Sequence, residues 1–460
     1  MLGVLVAIPS PAPPGAQGAA QPSAGVAPSS LLAGLSLGLR AVLVLQKQGV
    51  SRVVLAIRSG DGELVEQIRA DGRVKVAVEA VELAAGASLG RALRSAVDEP
   101  FLLCTTDLVL DPRLLRTLGQ DLELTGLGRA AARGGVALEP LPPLRGKPGL
   151  LDALARLEDE PLPAGGGAEP GASAPEPGCL RPATLHAFTR LIEQRELELC
   201  DVGDAWAADA RSAAGRARAV HHLFEACRKP VDGIVARLLN RHVSLFLSKR
   251  LVGAPVSPNA MTVMTFLVGV GGAAVAMRGG YWPTLCGAAL MQCNSILDGV
   301  DGELARVRHQ QSKLGQWLDT IGDDASNLVF YAALAWGARS LPRAATAMSV
   351  AGWVVTAATL LTAVLYYSEL LGTGSGDLYA LEWSFEQRPA PGWRDRLLRA
   401  FHAILKQDFF IFLFLVLALC GVLSYSLPLF ALGGVITVIA ATARRIARLW
   451  RRRAAQRSSR

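Results

Sequence analysis

Four aspartates lie in two closely spaced pairs, Asp298 with Asp301 and Asp319 with Asp323. Spacings of three and four residues place both carboxylates of a pair on one face of a helix. Such a group of like charges would repel itself unless cations lie between the carboxylates, and hard oxygen ligands suit Mg²⁺ or Mn²⁺. Two such ions are a common arrangement for displacement at phosphorus. The pattern therefore predicts a two-metal site, with acids that merely flank the helices in loops as the alternative.

The residues around these pairs are small or basic at four fixed positions: Gly302, Ala305, Arg306 and Gly315. Small residues allow a ligand to approach the backbone closely. With the aspartates they form the pattern Asp-x2-Asp-Gly-x2-Ala-Arg-x8-Gly-x3-Asp-x3-Asp. This pattern resembles the signature of the CDP-alcohol phosphotransferases (CDP-alcohol phosphatidyltransferases), and the resemblance covers approximately residues 229–446.

The resemblance implies a reaction and a role for each residue of the motif. Two divalent ions, Mg²⁺ or Mn²⁺, would hold the pyrophosphate of a CDP-alcohol and would be bound by Asp298, Asp301, Asp319 and Asp323. CDP would also contact Asp298, Gly302, Ala305, Arg306 and Gly315. Asp323 would in addition be the general base, taking the proton from the acceptor hydroxyl as this attacks phosphorus and CMP leaves. The family further implies a homodimer.

The resemblance leaves the substrates open. The leading hypothesis is an integral-membrane transferase that uses CDP-inositol or a related CDP-polyol, with inositol phosphate or a lipid hydroxyl as acceptor, in polyol-phosphate or phospholipid biosynthesis. The alternatives are a phospholipid synthase that depends on CDP-diacylglycerol and a non-enzymatic membrane scaffold. The complete motif argues against the scaffold, and the gathering of charges at one membrane face argues against a transporter.

The aspartates lie in the more hydrophobic half of the chain. Of 460 residues, 51% are hydrophobic, and long uncharged runs concentrate after residue 250, which excludes an entirely soluble protein. As one helix at ~1.5 Å per residue, the run 409–443 would be about 50 Å long, too long for one crossing of a ~30 Å hydrocarbon core. Residues 424–428 offer a break in this run. We therefore predict an all-α domain over 251–446 with six transmembrane helices, which are 251–277, 279–297, 316–338, 344–368 and the two halves of 409–443.

Positive charge is concentrated at the end of the chain. Residues 444–460 hold eight arginines and no acidic residue, which equals the net charge of +8 of the whole chain. Basic residues that flank membrane spans stay in the cytoplasm, near anionic lipid headgroups. We therefore predict a multi-pass protein of the inner (cytoplasmic) membrane with both termini cytoplasmic, a basic tail over 447–460 and the loop 369–408 on the same side. The run lacks a repeated alternation of basic and aromatic residues, so nucleic-acid binding is not expected.

Residues 226–250 precede the first predicted span and have an amphipathic pattern. Apolar residues such as Leu238 and Phe246 recur at helical spacing, and basic residues such as Arg237 and Arg241 occupy much of the remaining surface. This pattern predicts a helix in the membrane interface that contacts membrane lipids, although a linker helix with a solvated face is equally compatible. The stretch from Lys229 to Arg241 is also similar to the segment that leads into the membrane domain in the bifunctional members of the family.

The first 225 residues alternate short apolar runs with helical patterns. Strands are predicted over 2–8, 53–57, 74–78 and 101–104, and helices over 31–48, 63–69, 88–97 and 112–117. Such alternation is typical of a mostly parallel sheet with helices on both faces, a Rossmann-like α/β fold. Residues 159–178, rich in Pro, Gly and Ala, are expected to form a flexible loop. The whole chain is thus a two-part protein, with an α/β domain over 1–225 before the membrane domain.

The predicted strand over 101–104 and the following Asp107 resemble a sugar-nucleotide-type nucleotidyltransferase domain, in which an Asp at this place binds metal. Fusion of such a domain to a CDP-alcohol phosphotransferase is similar to the bifunctional inositol-1-phosphate cytidylyltransferase/di-inositol-phosphate-phosphate synthases. The sequence departs from that family after the first strand, where residues 9–22 are rich in proline and no basic residue precedes Arg40. Triphosphate binding needs amide donors and positive charge there. We therefore expect a degenerate, catalytically inactive domain, in which Asp107 is equally compatible with a turn residue.

Overall fold

The computed structural model describes residues 2–8, 27–84, 86–119, 128–133, 136–137, 143–160, 182–229, 232–371 and 406–458. The chain divides into two compact units, Met1–Glu225 and Ala226–Arg460. Three stretches about which the sequence makes predictions fall largely outside the described residues: the proline-rich segment 9–22, the loop 159–178 and the loop 369–408.

The N-terminal unit is an α/β domain. Its strands are β1 (Leu2–Val6), β2 (Leu31–Leu32), β3 (Leu35–Ser36), β4 (Arg52–Arg58), β5 (Ala77–Leu83), β6 (Phe101–Thr105), β7 (Leu108–Leu110), β8 (Gly128–Arg133), β9 (Val136–Ala137), β10 (Leu144–Gly146), β11 (Leu197–Asp201) and β12 (Ala207–Asp209). Its helices are α1 (Leu37–Lys47), α2 (Gly62–Ala70), α3 (Leu89–Arg94), α4 (Pro112–Gly119), α5 (Gly149–Glu158), α6 (Pro182–Glu193) and α7 (Ala213–Glu225).

The main sheet of this unit is mixed, with the strand order β11-β8-β10-β6-β1-β4-β5 and with β9 paired to β8. The central strand β1 pairs in parallel with both β4 and β6. Side chains of β1 alternate between two cores: Leu5 packs with α1, α2 and α4, whereas Val4 and Val6 pack with α3, α5 and α6. Because successive strand residues point to opposite faces, helices cover both faces of the sheet. The predicted α/β class is confirmed.

Two predicted elements of this unit are misplaced. The helix predicted over 31–48 begins only at Leu37, because residues 31–36 form the β2–β3 hairpin, in which Ala33 and Gly34 have φ angles of 49° and 77°. The Ser36 hydroxyl accepts the Leu39 N–H at 3.3 Å and caps the helix. The strand predicted over 74–78 is β5, further along the chain. It contains two glutamates, which an edge strand tolerates because one of its sides is open to water.

A buried carboxylate joins three helices of the N-terminal unit. Glu158, at the end of α5, is 1% exposed and accepts the backbone N–H groups of Leu89 at 3.2 Å and Gly90 at 3.1 Å. The hydroxyls of Ser88 and Thr184 also donate to it. The negative charge therefore lies at the N-terminus of α3, where the helix dipole favours an anion.

Replacement of this carboxylate should loosen the N-terminal unit. We expect Glu158→Gln to lower its free energy of unfolding by about 2 kcal/mol, because hydrogen bonds to a charged group are lost and an amide donor faces other donors. Urea-dependent pulse proteolysis of the full-length protein measures this change. Glu160→Gln, at an exposed partner of Arg190, is the control and should change stability by less than about 0.5 kcal/mol. Equal effects of the two substitutions would contradict the anchoring role of Glu158.

The described part of the C-terminal unit is helical. A π-helical turn at Ala236–Asn240 leads into α8 (Arg241–Leu251), which is followed by α9 (Pro258–Ala276), α10 (Tyr281–Val307), α11 (Lys313–Gly337), α12 (Ala345–Leu370), α13 (Gln407–Leu419) and α14 (Leu427–Ser458). Ser257 caps α9 by accepting the Ala260 N–H at 3.1 Å, and Ser312 caps α11 by accepting the Gly315 N–H at 2.9 Å. A 3₁₀ turn over Ser424–Ser426 interrupts the long uncharged run, where the sequence predicts a break.

Three segments of the described residues are long and apolar enough to cross a membrane: Pro258–Ala276, Ala345–Glu369 and Ser424–Ile446. The helix α13 is apolar but shorter. Helices α10 and α11 coincide with two of the predicted spans but are not among these three segments. The structure therefore gives a helical unit with three candidate spans, where the sequence predicts six.

Helices α9 and α10 pack closely through small residues. A Cβ atom on Gly287 would lie 2.6 Å from both the Ala276 Cβ and the Gly272 carbonyl oxygen. Small residues at such positions let two helix backbones approach each other in an apolar environment. This close packing brings the side chains of α9 within reach of the polar end of α10.

Candidate active site

The two pairs of aspartates meet where α10 ends and α11 begins. Asp298 and Asp301 lie in the last turns of α10, and Asp319 lies in the second turn of α11. One carboxylate oxygen from each of these three residues lies within 4.8 Å of the others. Asp301 is buried, and Asp298 and Asp319 are half-buried. The short connection between the helices turns the chain back, so that both helices present their acids to one site.

Asp323 lies one turn further along α11 and faces the same group, since it interacts electrostatically with each of the other three aspartates. The structure thus brings three of the four aspartates that the sequence singles out into one group and places Asp323 next to it, and we call the four residues together the aspartate cluster. The adjacent Asp324 points elsewhere and accepts a hydrogen bond from the Tyr367 hydroxyl of α12 at 2.5 Å. Spacing along the helix therefore separates two neighbouring acids into different environments.

The aspartate cluster has the chemistry of a divalent-cation site. The Asp298, Asp301 and Asp319 carboxylates offer oxygen atoms within 4.8 Å of one another, a distance at which three anions repel one another unless a proton or a cation lies between them. The Asp319 Oδ1 atom is buried and has no hydrogen-bond partner among the described residues. Buried polar atoms are otherwise almost always paired. A hard cation coordinated by these carboxylate oxygens would satisfy the orphaned atom and remove the repulsion.

A hydroxyl that the sequence analysis missed supports the cluster from α9. The Thr262 Oγ1 atom lies within hydrogen-bond distance of Asp301 Oδ2 and also of the Pro258 carbonyl oxygen at 3.2 Å. Such a bond orients a carboxylate ligand and limits its rotation. The only signal in the sequence was a threonine within an apolar helix, which does not distinguish a ligand partner from an ordinary helix residue.

The other motif residues lie around the cluster on the same two helices. A Cβ atom on Gly302 would lie 3.0 Å from Nη1 of Arg306, so the glycine leaves room for the guanidinium. The Arg306 Nε atom is buried and has no hydrogen-bond partner among the described residues. Ala305 is half-buried beside it. The Gly315 N–H donates to the Ser312 hydroxyl, which caps α11, so it is not available to a ligand. Gly315 can therefore contribute to a ligand site only by leaving space where a side chain would stand.

Asp107 is placed differently. It is fully buried in the turn between β6 and β7 of the N-terminal unit, and its backbone carbonyl accepts the Ala210 N–H at 2.7 Å. Among the described residues it belongs to no group of three potential metal ligands. Its role as a metal ligand therefore stays a prediction.

A third acid on α10, after Asp298 and Asp301, escaped the sequence analysis. Glu303 has no exposed surface and accepts hydrogen bonds from Arg241 at 2.9 Å and from the hydroxyls of Ser244 and Ser248 at 2.7 Å. Its position inside the motif carried no distinguishing signal, because the motif leaves this position variable. The helix α8 is thereby attached to the side of α10 that faces away from Asp301.

The hydroxyl beside Asp301 generates a test of the metal site. We expect Thr262→Val to weaken Mn²⁺ binding about 10-fold or more, because partners of metal ligands typically contribute this much. Electron paramagnetic resonance of free Mn²⁺ during a titration of the full-length protein measures the affinity. Thr437→Val is the matched control, since that exposed hydroxyl makes the same type of bond to a carbonyl four residues earlier. Equal Mn²⁺ affinity in the wild-type protein and in Thr262→Val would show that Thr262 does not support the metal site.

The part of the chain that contains the site is similar to a known protein family. The CDP-alcohol phosphatidyltransferase family matches residues 255–443. The bifunctional IPC transferase and DIPP synthases of Aquifex aeolicus and Thermococcus kodakarensis are each 44% identical, over 104 and 111 residues, or 23% and 24% of this chain. The CDP-diacylglycerol–serine O-phosphatidyltransferase of Mycobacterium tuberculosis is 32% identical over 146 residues, which is 31% of this chain and 48% of that protein. The matches span about a quarter of the length of the bifunctional relatives.

Two solved structures are similar to parts of the chain. The phosphatidylinositol phosphate synthase of Mycobacterium tuberculosis with bound CDP-DAG is 18% identical, with a TM-score of 0.33, over 44% of this chain and 92% of that one. The inositol-1-phosphate CTP transferase from T. maritima is 15% identical, with a TM-score of 0.31, over 46% of this chain and 90% of that one. The family match and the complete motif lead to the same assignment. Residues 255–443, which include the whole motif, match the CDP-alcohol phosphatidyltransferase family.

Proposed function

We propose that the protein transfers a phospho-alcohol group from a CDP-alcohol to an acceptor hydroxyl and releases CMP. The observation that carries this proposal is the convergence of Asp298, Asp301 and Asp319 within 4.8 Å, with Asp323 beside them. Clustered carboxylates on two helices suit divalent cations better than any other ligand. The neighbouring Arg306 supplies a positive charge for phosphate oxygens.

The aspartates and the other motif residues have different roles in the proposed reaction. Bound divalent ions, Mg²⁺ or Mn²⁺ and two in number, would supply charge stabilisation for the pyrophosphate of the donor. The cluster binds them, and Gly302, Ala305, Arg306 and Gly315 complete the CDP site. Asp323 takes the proton from the acceptor hydroxyl. The acceptor oxygen then forms a bond to the phosphorus that carries the donor alcohol, and the bond from this phosphorus to the CMP oxygen breaks.

The preferred donor is a water-soluble CDP-polyol such as CDP-inositol, with inositol phosphate or a lipid hydroxyl as acceptor. The 44% identity to bifunctional IPC transferase and DIPP synthases supports this choice. The second candidate is a phospholipid synthase that uses CDP-diacylglycerol, which the 32% identity to a CDP-diacylglycerol–serine O-phosphatidyltransferase supports. Both candidates use the same metal site and differ only in the alcohol.

The proposed setting is the inner membrane, crossed six times, with both termini cytoplasmic and with the protein as a homodimer. The apolar helices of the C-terminal unit support the membrane setting. On the segment 226–250, Leu238 and Phe246 are exposed by 71% and 53%, alongside exposed basic residues such as Arg250. Exposed apolar and basic side chains on one short helix suit a lipid headgroup region.

The N-terminal unit is proposed to be a nucleotidyltransferase-like domain without catalytic activity. Arg40, the first basic residue of the chain, is 3% exposed and donates to the carbonyl oxygens of Leu32 at 2.9 Å and Ala33 at 3.3 Å. Burial lowers the pKa of Arg40 to about 10, with a smaller contribution from the charge of Arg73. The guanidinium therefore holds the β2–β3 hairpin and does not face solvent as a triphosphate site would require.

Release of CMP tests the proposal directly. Purified full-length protein in nanodiscs with Mg²⁺ or Mn²⁺ would be offered CDP-inositol and CDP-diacylglycerol separately, each with inositol phosphate and with a lipid extract. We expect release from CDP-inositol, its loss on chelation of the metal, and no release by the control Asp301→Asn. CMP release from CDP-diacylglycerol alone would establish the second candidate. No CMP release from either donor would contradict the proposed function.

The assignment of the base has its own test. Asp323→Asn should lower CMP turnover by about 10²–10⁴-fold, because an amide cannot accept the proton of the acceptor hydroxyl. Binding of CDP, followed by calorimetry, should weaken far less than turnover, because Asp298, Asp301 and Asp319 still bind the ions. Asp324→Asn is the matched control, since it changes the neighbouring acid that bonds Tyr367, and its turnover should be largely unchanged. Unchanged CMP turnover in Asp323→Asn would show that Asp323 is not the general base.

A further inference from the structure

A buried ionic network surrounds Glu303, which leaves α10 on the face opposite Asp301. Glu303 accepts from Arg241, Ser244 and Ser248, which share one face of α8 because they are spaced by three and four residues. These bonds satisfy a carboxylate that has no contact with water. An acid buried in this way holds its partners in place, because separating them would leave an unpaired charge in an apolar surrounding.

Arg241 connects Glu303 to a third charged residue. Its Nε and Nη2 atoms donate to the two carboxylate oxygens of Asp232, both at 2.9 Å, while its Nη1 atom donates to Glu303. Although burial acts in the opposite direction, the hydrogen bonds and charge of Arg241 hold the pKa of Asp232 below its usual value. One planar guanidinium thus bridges two carboxylates, a geometry that a lysine ammonium cannot reproduce.

Asp232 in turn fixes the turn that begins at Lys229. The Asp232 carboxylate accepts the Lys229 N–H at 3.1 Å, and the Asp232 N–H donates to the Lys229 carbonyl at 3.0 Å. The Arg241 guanidinium and the Lys229 ammonium both interact electrostatically with Asp298 of the aspartate cluster, and Lys229 also interacts with Asp319. Through Asp232, Arg241 is therefore connected to Lys229, a cation beside the proposed metal site.

On its other side the network fixes the rotation of α10. Glu303 follows Asp301 by two residues, so at about 100° per residue their side chains leave the helix on nearly opposite faces. Thr262 of α9 is bonded to Asp301, and Arg241 near the start of α8 is bonded to Glu303. A rotation of α10 about its axis would break both contacts at once. The metal ligands are therefore held by partners on both faces of the helix.

A second contact attaches the far end of α8 to α10. The Arg308 guanidinium donates to the carbonyl oxygens of Leu251, Val252, Ala254 and Val256, at 2.5 to 3.1 Å. These carbonyls have no partners within the helix, because α8 ends there. The Asp408 carboxylate also accepts the Ala236 N–H at 2.7 Å, just before α8. The segment 232–256 thus forms a clamp along the outer face of α10.

We propose that Arg241 is a positioning residue for the active site. By bridging Asp232 and Glu303 it sets both the rotation of α10, which carries Asp298 and Asp301, and the turn that carries Lys229. Loss of the guanidinium would leave the buried Glu303 and the half-buried Asp232 without their charged partner, and the clamp would shift to solvate them. The inference rests on the proposed metal site, but it assigns Arg241 no contact with the substrate or the ions.

The test measures metal binding, with turnover as a second readout. Arg241→Met and Arg241→Lys in the full-length protein in nanodiscs would be titrated with Mn²⁺ and followed by electron paramagnetic resonance. We expect each to weaken Mn²⁺ binding about 10-fold, as loss of a partner of a metal ligand does, and to lower kcat more than it raises KM for the donor. Arg250→Met is the matched control, because this exposed arginine of α8 stacks on Phe246 and should bind Mn²⁺ like wild type.

A separate variant keeps the test decisive if Arg241→Met fails to fold. Glu303→Gln retains the size of the buried side chain and should also weaken Mn²⁺ binding. Lower thermal stability with Mn²⁺ affinity within twofold of wild type, in the folded variants, would overturn the positioning role and leave the proposed function intact. Absence of Mn²⁺ binding by the wild-type protein would overturn the proposed metal site and the inference with it.

Discussion

Mutual repulsion among the four carboxylates of the aspartate cluster is the constraint on which the rest of the C-terminal unit depends. Helical spacing brings the acids to one place, and nothing in that spacing neutralises them. Charges at this depth are tolerated in apolar helices only where a counter-charge or a ligand is present. The hydroxyl of Thr262, the guanidinium of Arg306 and the ammonium of Lys229 reduce the repulsion without removing it. The repulsion that remains would be the driving force for the proposed binding of cations.

Buried acids elsewhere in the chain show what a purely structural carboxylate looks like. Glu158 receives two backbone N–H groups and two hydroxyls, and Glu303 receives a guanidinium and two hydroxyls. Each has its lone pairs occupied by the protein itself. Asp319 differs, because its Oδ1 atom is buried without a partner among the described residues. This contrast supports the proposal that Asp319 belongs to a ligand site, whereas Glu158 and Glu303 hold the fold.

Close helix packing makes the precise placement of these groups possible. The small residues between α9 and α10 let Thr262 reach Asp301, and the clamp on the other face lets Arg241 reach Glu303. The helix α10 therefore has a polar partner on each side of the turn that carries Asp301. Side chains locked by packing and by bonds to neighbouring helices are what a metal site needs, because its ligands tolerate little displacement.

The sequence by itself determined the helical class of the C-terminal unit, the α/β class of the N-terminal unit and the pairing of Asp298 with Asp301 and of Asp319 with Asp323, because helical and strand periodicity and i,i+3 or i,i+4 spacing are local properties. The meeting of the two pairs depends on the reversal of the chain between α10 and α11. It misplaced α1 and β5, where a hairpin and an edge position override local pattern. Only the tertiary structure decided which acids are satisfied. Thr262 is 39 residues from Asp301, and Arg241 is 62 residues from Glu303, so no local spacing encodes either contact. These partners come from different helices, and packing alone brings them together.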